Sequence, residues 1–371
     1  MLKEFKVKGF KNFNEEIIFE LGDCNNYEFN KSAIKNGISK TALIYGKNGS
    51  GKSNLGYAIF DIVSHLTDKN RGDSSRYDLY LNLDSNHSYA CFSYVFQFDN
   101  DILEYNYSKT DYESLMYEEV IINEEVVIRY DYDRNVNTII NLYGAETLDK
   151  ELNNHKISFV KYIIRNANLD KSNHNNVVFN EFFNFVNKML FFRSLKENEY
   201  IGFKNGSDYL FNVIVNENKL NEFEKFLAAN GVFYNLEAAE RDDKKMILCR
   251  FKSNKSVDLN KVASTGTVAL TLFFYWRIFL EDVSFVFIDE FDAFYHSDVA
   301  EYIVRLVKEQ PNLQGILTTH NTDIMNNDLL RPDCYFNLEN GKIKSIAKST
   351  EKELRLSHNL QKMYKAGAFA R

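Results

Sequence analysis

Proline is nearly missing from this sequence. The 371 residues hold two, Pro311 and Pro332, and no low-complexity run or internal repeat occurs. Collagen-like and proline-rich extended architectures are therefore excluded. Cysteine is scarce too. Cys24, Cys91, Cys249 and Cys334 lie far apart and form no CxxC pair, which excludes a disulfide framework and points to small buried hydrophobes in a reducing cytoplasm. The seven histidines supply no HExxH and no pair at ligand spacing, so a zinc site is not expected. The longest apolar stretch, Val268 to Trp276, falls far short of the roughly 20 residues a bilayer-spanning helix needs. The opening MLKEFKVKGF carries charges where a signal peptide has an apolar run. A cytoplasmic protein without a membrane partner is expected. Excess positive charge is also lacking: 45 Lys and Arg face 52 Asp and Glu, a net charge of −7. That balance argues against coating nucleic acid by bulk charge and leaves a local basic groove open.

What is present is an ordinary globular composition, 44% hydrophobic and 26% charged. The length exceeds the roughly 100 to 200 residues of one typical domain. A large core with an inserted subdomain, or two small domains, would account for it. Strands are expected at Phe5–Phe10, Ile17–Leu21 and Thr41–Tyr45. From Asn54 to Leu66, the apolar residues Leu55, Ala58, Ile59, Ile62, Val63 and Leu66 follow helical spacing. Between about His87 and Leu142 the period drops to two, with many aromatics and short turn segments, the pattern of an antiparallel meander. From about Thr147 to Asn230 the period is helical, clearest in VVFNEFFNFVNKMLFF and LNEFEKFLAA, with Phe179, Phe182, Phe183 and Val186 as a core stripe. Strands return at Lys245–Phe251, Val283–Ile288 and Gly315–Thr319, with a helix over Gly266–Leu280. Strands separated by helices imply a parallel sheet covered by helices. One sheet built from both ends of the chain is expected, with the middle inserted: 1–145, a mostly helical 146–240, and 241–371.

Gly46-Lys47-Asn48-Gly49-Ser50-Gly51-Lys52-Ser53 fits G-x-x-x-x-G-K-[ST] at every fixed position, after an apolar strand and before an amphipathic helix. The glycines let backbone N–H groups curl toward phosphate, and the helix N-terminus adds its positive end. Lys52 would reach the β- and γ-phosphates and the Ser53 hydroxyl would ligate Mg²⁺. The candidate nucleotide-binding set is Gly46, Asn48, Gly49, Ser50, Gly51, Lys52, Ser53 and Asn54. In Phe285-Val286-Phe287-Ile288-Asp289-Glu290, four apolar residues deliver two carboxylates. Asp289 suits the magnesium shell, and Glu290 suits a general base for the attacking water. A further apolar strand ends in Thr318-Thr319-His320-Asn321, which puts His320 at the carboxyl end of a sheet strand, where open α/β sheets bind ligands. His320 could hydrogen-bond a γ-phosphate or the water. Ser264-Thr265-Gly266-Thr267 opens the next helix. Ser264 and Gly266 there read equally as a second anion-binding surface or as a plain N-cap.

The order of these motifs resembles the ATP-binding-cassette superfamily, and within it the RecF, structural-maintenance-of-chromosomes and overcoming-lysogenization-defect group. Gly9–Phe13 (GFKNF) is similar to that group's first strand and turn. Ser264–Thr267 resembles its signature, Asp289–His296 its Asp-Glu and D-loop, and Thr318–Asn321 its switch histidine. The tail from Asn359 to Phe369 looks like that of stand-alone bacterial members. The resemblance covers about residues 1–140 and 240–371 and implies an α/β P-loop NTPase: an ATP-binding-cassette-type head with a mixed sheet, a β meander and a helical insertion. There are departures. The signature is not LSGGQ, no coiled-coil arms interrupt the chain, and too little follows His320 for an appended nuclease. Gln97 is a candidate for the Q-loop glutamine, but it falls on an expected meander strand, and the plain strand reading is the stronger. No NKxD motif occurs, which favours ATP over GTP.

The resemblance implies a Mg²⁺-dependent ATPase that dimerises around two ATP molecules, with Ser264 and Gly266 capping the partner's nucleotide. It also implies coupling to a separately encoded effector, nuclease or toxin, or to DNA, in bacterial anti-phage defence. A slow-turnover module that holds an effector silent is the alternative reading. The soluble subunit of a transporter is a third, disfavoured by the aromatic middle and the RecF-like start.

Overall fold

The computed structural model describes residues 1–69, 77–133, 138–152, 154–193, 199–204, 210–241 and 244–369. Two seven-stranded sheets dominate it. The first is antiparallel. It runs in the order Ile139–Ile140, Glu125–Asp131, Leu115–Ile122, Asp101–Lys109, Ala90–Phe98, Leu2–Lys8, Ile17–Glu20. The second is mixed, in the order Tyr200–Gly202, Met189–Arg193, Phe285–Asp289, Gln314–Thr318, Thr41–Tyr45, Tyr335–Glu339, Lys342–Ser345. Its central five strands are parallel, and the outer strand on each side is antiparallel to its neighbour.

Side chains that alternate along these strands build two cores. Phe285, Phe287, Phe191, Ile316 and Ile44 face the antiparallel sheet and the helix Lys52–Leu66. Val286, Ile288, Leu190, Phe192, Leu317 and Leu43 face the helices Thr265–Arg277 and Ser297–Glu309. The helix Lys52–Leu66 thus has a sheet on either side, and most of its residues are buried. Gly56 is what lets it lie flat on the mixed sheet. A Cβ there would come within 2.7 Å of the Phe287 ring and 2.8 Å of the Phe191 ring.

The opposite face of that helix is polar and still buried. Asp61 accepts hydrogen bonds from Tyr80, Tyr107 and Lys109. His65 Nε2 lies 2.8 Å from the Tyr105 hydroxyl, which donates to Glu118. Glu118 also accepts from Tyr132, Ser158 and the Phe159 N–H. Four donors on one buried carboxylate satisfy it fully, as a low-dielectric interior requires.

Two expectations change. The helical reading of VVFNEFFNFVNKMLFF holds only to Asn187, because Met189–Arg193 is a strand pairing in parallel with Phe285–Asp289. A short apolar run fits either period, and here the adjoining carboxylate strand decides. The strands Leu2–Lys8 and Ile17–Glu20 join the meander rather than the sheet of the P-loop strand. The mixed sheet therefore draws strands from the middle of the chain as well as from both ends.

Candidate functional site

The strand Thr41–Tyr45 runs straight into the Gly46–Ser53 loop. Gly49 and Gly51 take φ values of 78° and 102°, a backbone that glycine adopts without strain. At Gly46 a Cβ would lie 2.6 Å from both the Leu338 carbonyl and Ser50 Oγ. Asn12, in the turn after the first strand, lies against Gly51 and accepts a 2.7 Å hydrogen bond from Asn54 Nδ2. The GFKNF turn and the P-loop are therefore one structural unit.

Lys52, at the first turn of its helix, is buried. Its ammonium donates to the Gly46 carbonyl at 2.9 Å and to the Lys47 carbonyl at 3.3 Å, and stands 2.9 Å from His320 Nε2. Burial pulls its pKa below the ordinary lysine value, against the pull of Asp289 and Glu290. An ammonium can only donate, so His320 Nε2 is the acceptor and the ring is neutral. Burial and the Lys52 charge lower the His320 pKa accordingly. Ser50 Oγ is buried with no hydrogen-bond partner. A buried hydroxyl without a partner, set against Gly46 inside this loop, suits a phosphate oxygen.

Asp289, fully buried at the end of its strand, holds the centre. Its Oδ2 accepts from Ser53 Oγ at 2.7 Å and its Oδ1 from Thr318 Oγ1 at 2.8 Å. A hydroxyl and a carboxylate oxygen facing each other form a hard-oxygen donor pair suited to Mg²⁺. Glu290 follows with φ 49°, in the left-handed region, and its N–H donates to Thr318 Oγ1 at 2.8 Å. One threonine therefore fixes both carboxylate residues. Glu290, Asp292, His320, Asn321 and Asn48 line an open cleft of about 450 Å³. Burial pushes the Asp292 pKa up, while the hydrogen bond from Thr319 Oγ1 opposes the shift.

Ser264 caps the helix Thr265–Arg277, its Oγ accepting from the Thr267 N–H at 3.2 Å. A Cβ on Gly266 would lie 3.1 Å from the carbonyl of Phe294, in the segment after the two carboxylates. Gly266 thus sits beside the stretch that resembles a D-loop, and the N-cap reading describes the geometry of Ser264. Gln97 is a strand residue whose amide donates to the Asp99 carbonyl.

Arg193 escapes a sequence reading. It ends the strand Met189–Arg193, in register with Asp289. Its Nε lies 3.1 Å from Asp289 Oδ2 and its Nη2 3.7 Å from Glu290 Oε2. The available signal was a second run of four apolar residues closing in a charge, MLFFR beside FVFID, masked by the aromatic helix before it.

A P-loop lysine, a strand-borne aspartate against the P-loop serine and a histidine strand between them define a P-loop ATPase head. A family model described as "AAA domain, putative AbiEii toxin, Type IV TA system" matches residues 42–326, and the chain belongs to that family. No curated protein matches it. Among solved structures, the head domain of the structural-maintenance-of-chromosomes protein from Thermotoga maritima is 18% identical, with a TM-score of 0.42 over 93% of this chain and 97% of that one. The recombination mediator RecF is 15% identical, with a TM-score of 0.41 over 93% and 98%. The corresponding head from Pyrococcus yayanosii is 12% identical, with a TM-score of 0.47 over 98% and 99%. Among the described residues, no helix is long and apolar enough to cross a membrane.

Proposed function

We propose that this protein hydrolyses ATP with Mg²⁺ and uses the ATP-bound state to close two heads on each other. The observation that carries the reading is Asp289, which joins Ser53 of the P-loop to Thr318 of the histidine strand. Gly46, Asn48, Gly49, Ser50, Gly51, Lys52, Ser53 and Asn54 receive the nucleotide, with Asn12 bracing the loop. Ser53 and Asp289 hold the metal, which when bound supplies charge neutralisation at the β- and γ-phosphates. Lys52 leaves the Gly46 carbonyl and His320 for phosphate. Neutral His320 is then free to accept or donate at the γ-phosphate or the water. Glu290, at the mouth of the cleft, takes the proton of the attacking water.

Ser264 and Gly266 act in trans, capping the nucleotide of the partner copy. The closed dimer then engages a separately encoded effector, nuclease or toxin, or DNA. The family description reads "putative AbiEii toxin, Type IV TA system"; the role proposed on that footing is anti-phage defence, and its proposed place is the bacterial cytoplasm.

The test is Glu290→Gln. ATP binding should persist, turnover should fall by roughly 10²- to 10⁴-fold, and a dimer should accumulate with ATP in light scattering. Turnover near the wild-type rate would remove Glu290 from the role of base.

A further inference from the structure

The cluster around Asp289 contains a cation that a P-loop and two carboxylates do not themselves require. Arg193 Nε approaches Asp289 Oδ2, the same oxygen that receives the Ser53 hydroxyl, and Nη2 approaches Glu290. That oxygen is also the one placed to share a metal with Ser53. The contact is close without being well aligned: Nε is buried and makes no hydrogen bond of good geometry. Such a guanidinium is held by charge, with a donor left over to be satisfied elsewhere. Lys52 is turned toward Gly46, Lys47 and His320, which leaves Arg193, among the described residues, as the cation within ion-pair distance of both carboxylates.

We propose that Arg193 is the resident counter-cation of the nucleotide-free site. Its guanidinium neutralises Asp289, holds Glu290 in place, and keeps a free divalent metal off the carboxylate. Arg193 cedes Asp289 only to a metal that arrives with nucleotide, because the phosphates bring the negative charge needed to hold both cations together. Arg193 is thus a positioning residue that makes metal binding conditional on ATP. The inference rests on reading the cluster as a Mg·ATP site.

The experiment uses the full chain and Mn²⁺ as the probe, counted by electron paramagnetic resonance of the free ion. Without nucleotide, wild type should bind Mn²⁺ weakly, and Arg193→Gln should bind it about tenfold or more tightly, since two carboxylates lose their counter-charge. Arg193→Lys should stay near wild type. Coincident Mn²⁺ titrations of wild type and a folded Arg193→Gln, checked by circular dichroism, would overturn the inference. If Arg193→Gln does not fold, the Arg193 Nε–H resonance of wild type serves instead. It should move with Mg²⁺ plus a slowly hydrolysed ATP analogue and stay fixed with Mg²⁺ alone; movement with Mg²⁺ alone contradicts the proposal. Binding of a fluorescent ATP analogue to wild type separates the two claims. If that binding is absent, the site reading fails and the inference falls with it. If it is present while the Mn²⁺ titrations coincide, the inference alone fails.

Discussion

Glu290 shows what a single residue contributes and what it costs. Its left-handed backbone, φ 49°, carries a strain of about 1 kcal/mol or more for a residue with a Cβ. The strain turns Glu290 out of the strand direction that buries Asp289. Glu290→Gly should therefore lose turnover yet unfold at no lower denaturant concentration than wild type. A clear loss of stability would mean that the carboxylate's contact with Arg193 outweighs the backbone strain. At this scale the sequence was readable wherever chemistry is local. The motifs Gly46 to Ser53 and Asp289-Glu290 stand in consecutive residues, and the fold sets Ser53 against Asp289 and Asn48 in one cleft with Glu290. Asn12 and Arg193 were not readable, because what places them at the site is contact with residues distant in the chain.

Among the elements, the helix Lys52–Leu66 joins the site to the rest of the fold. Gly56→Ala sets two effects against each other. Alanine gains about 1 kcal/mol of helix propensity, whereas a methyl forced between Phe287 and Phe191 costs about 1 to 3 kcal/mol. Packing should win, giving a net loss of about 1 kcal/mol in a urea titration, and a stabilised variant would show that the rings yield. The other face of the helix predicts a pH dependence. Burial, with the nearby Lys109 charge, holds the His65 pKa well below its ordinary 6.5. The unfolded chain therefore takes up a proton that the fold refuses. This contribution to stability is complete above pH 6.5 and is lost as pH falls below it. His65→Gln keeps an N–H for Tyr105, so its melting temperature should depend less on acid than that of wild type. Unchanged acid sensitivity would assign the effect to other groups. This helix and the strands flanking the site were legible from periodicity. Met189–Arg193 was not, since five residues of an apolar run fit a helix until a neighbouring strand claims them. Which sheet the first two strands join depends on the meander's aromatic face, which no local pattern specifies.

For the whole molecule, the question is whether one chain holds a complete site. Gly266 lies beside the Phe294 carbonyl and Ser264 caps the same helix; the proposal that both work on another copy can be tested directly. Gly266→Arg should leave ATP binding intact and stop hydrolysis. Mixed with Lys52→Ala chains, it should regain part of the activity, because one of the two shared sites in a mixed dimer has neither lesion. Continued inactivity in verified heterodimers would place the signature in cis or make the two sites strictly cooperative. All of this depends on nucleotide entering the loop around Lys52. The most direct test is equilibrium binding of a fluorescent ATP analogue, with Mg²⁺, to wild type and to Lys52→Ala. Wild type should bind saturably, and Lys52→Ala should bind far more weakly or not at all, because the phosphates lose their main point charge. Equal affinity of the two proteins would contradict the assignment of this site.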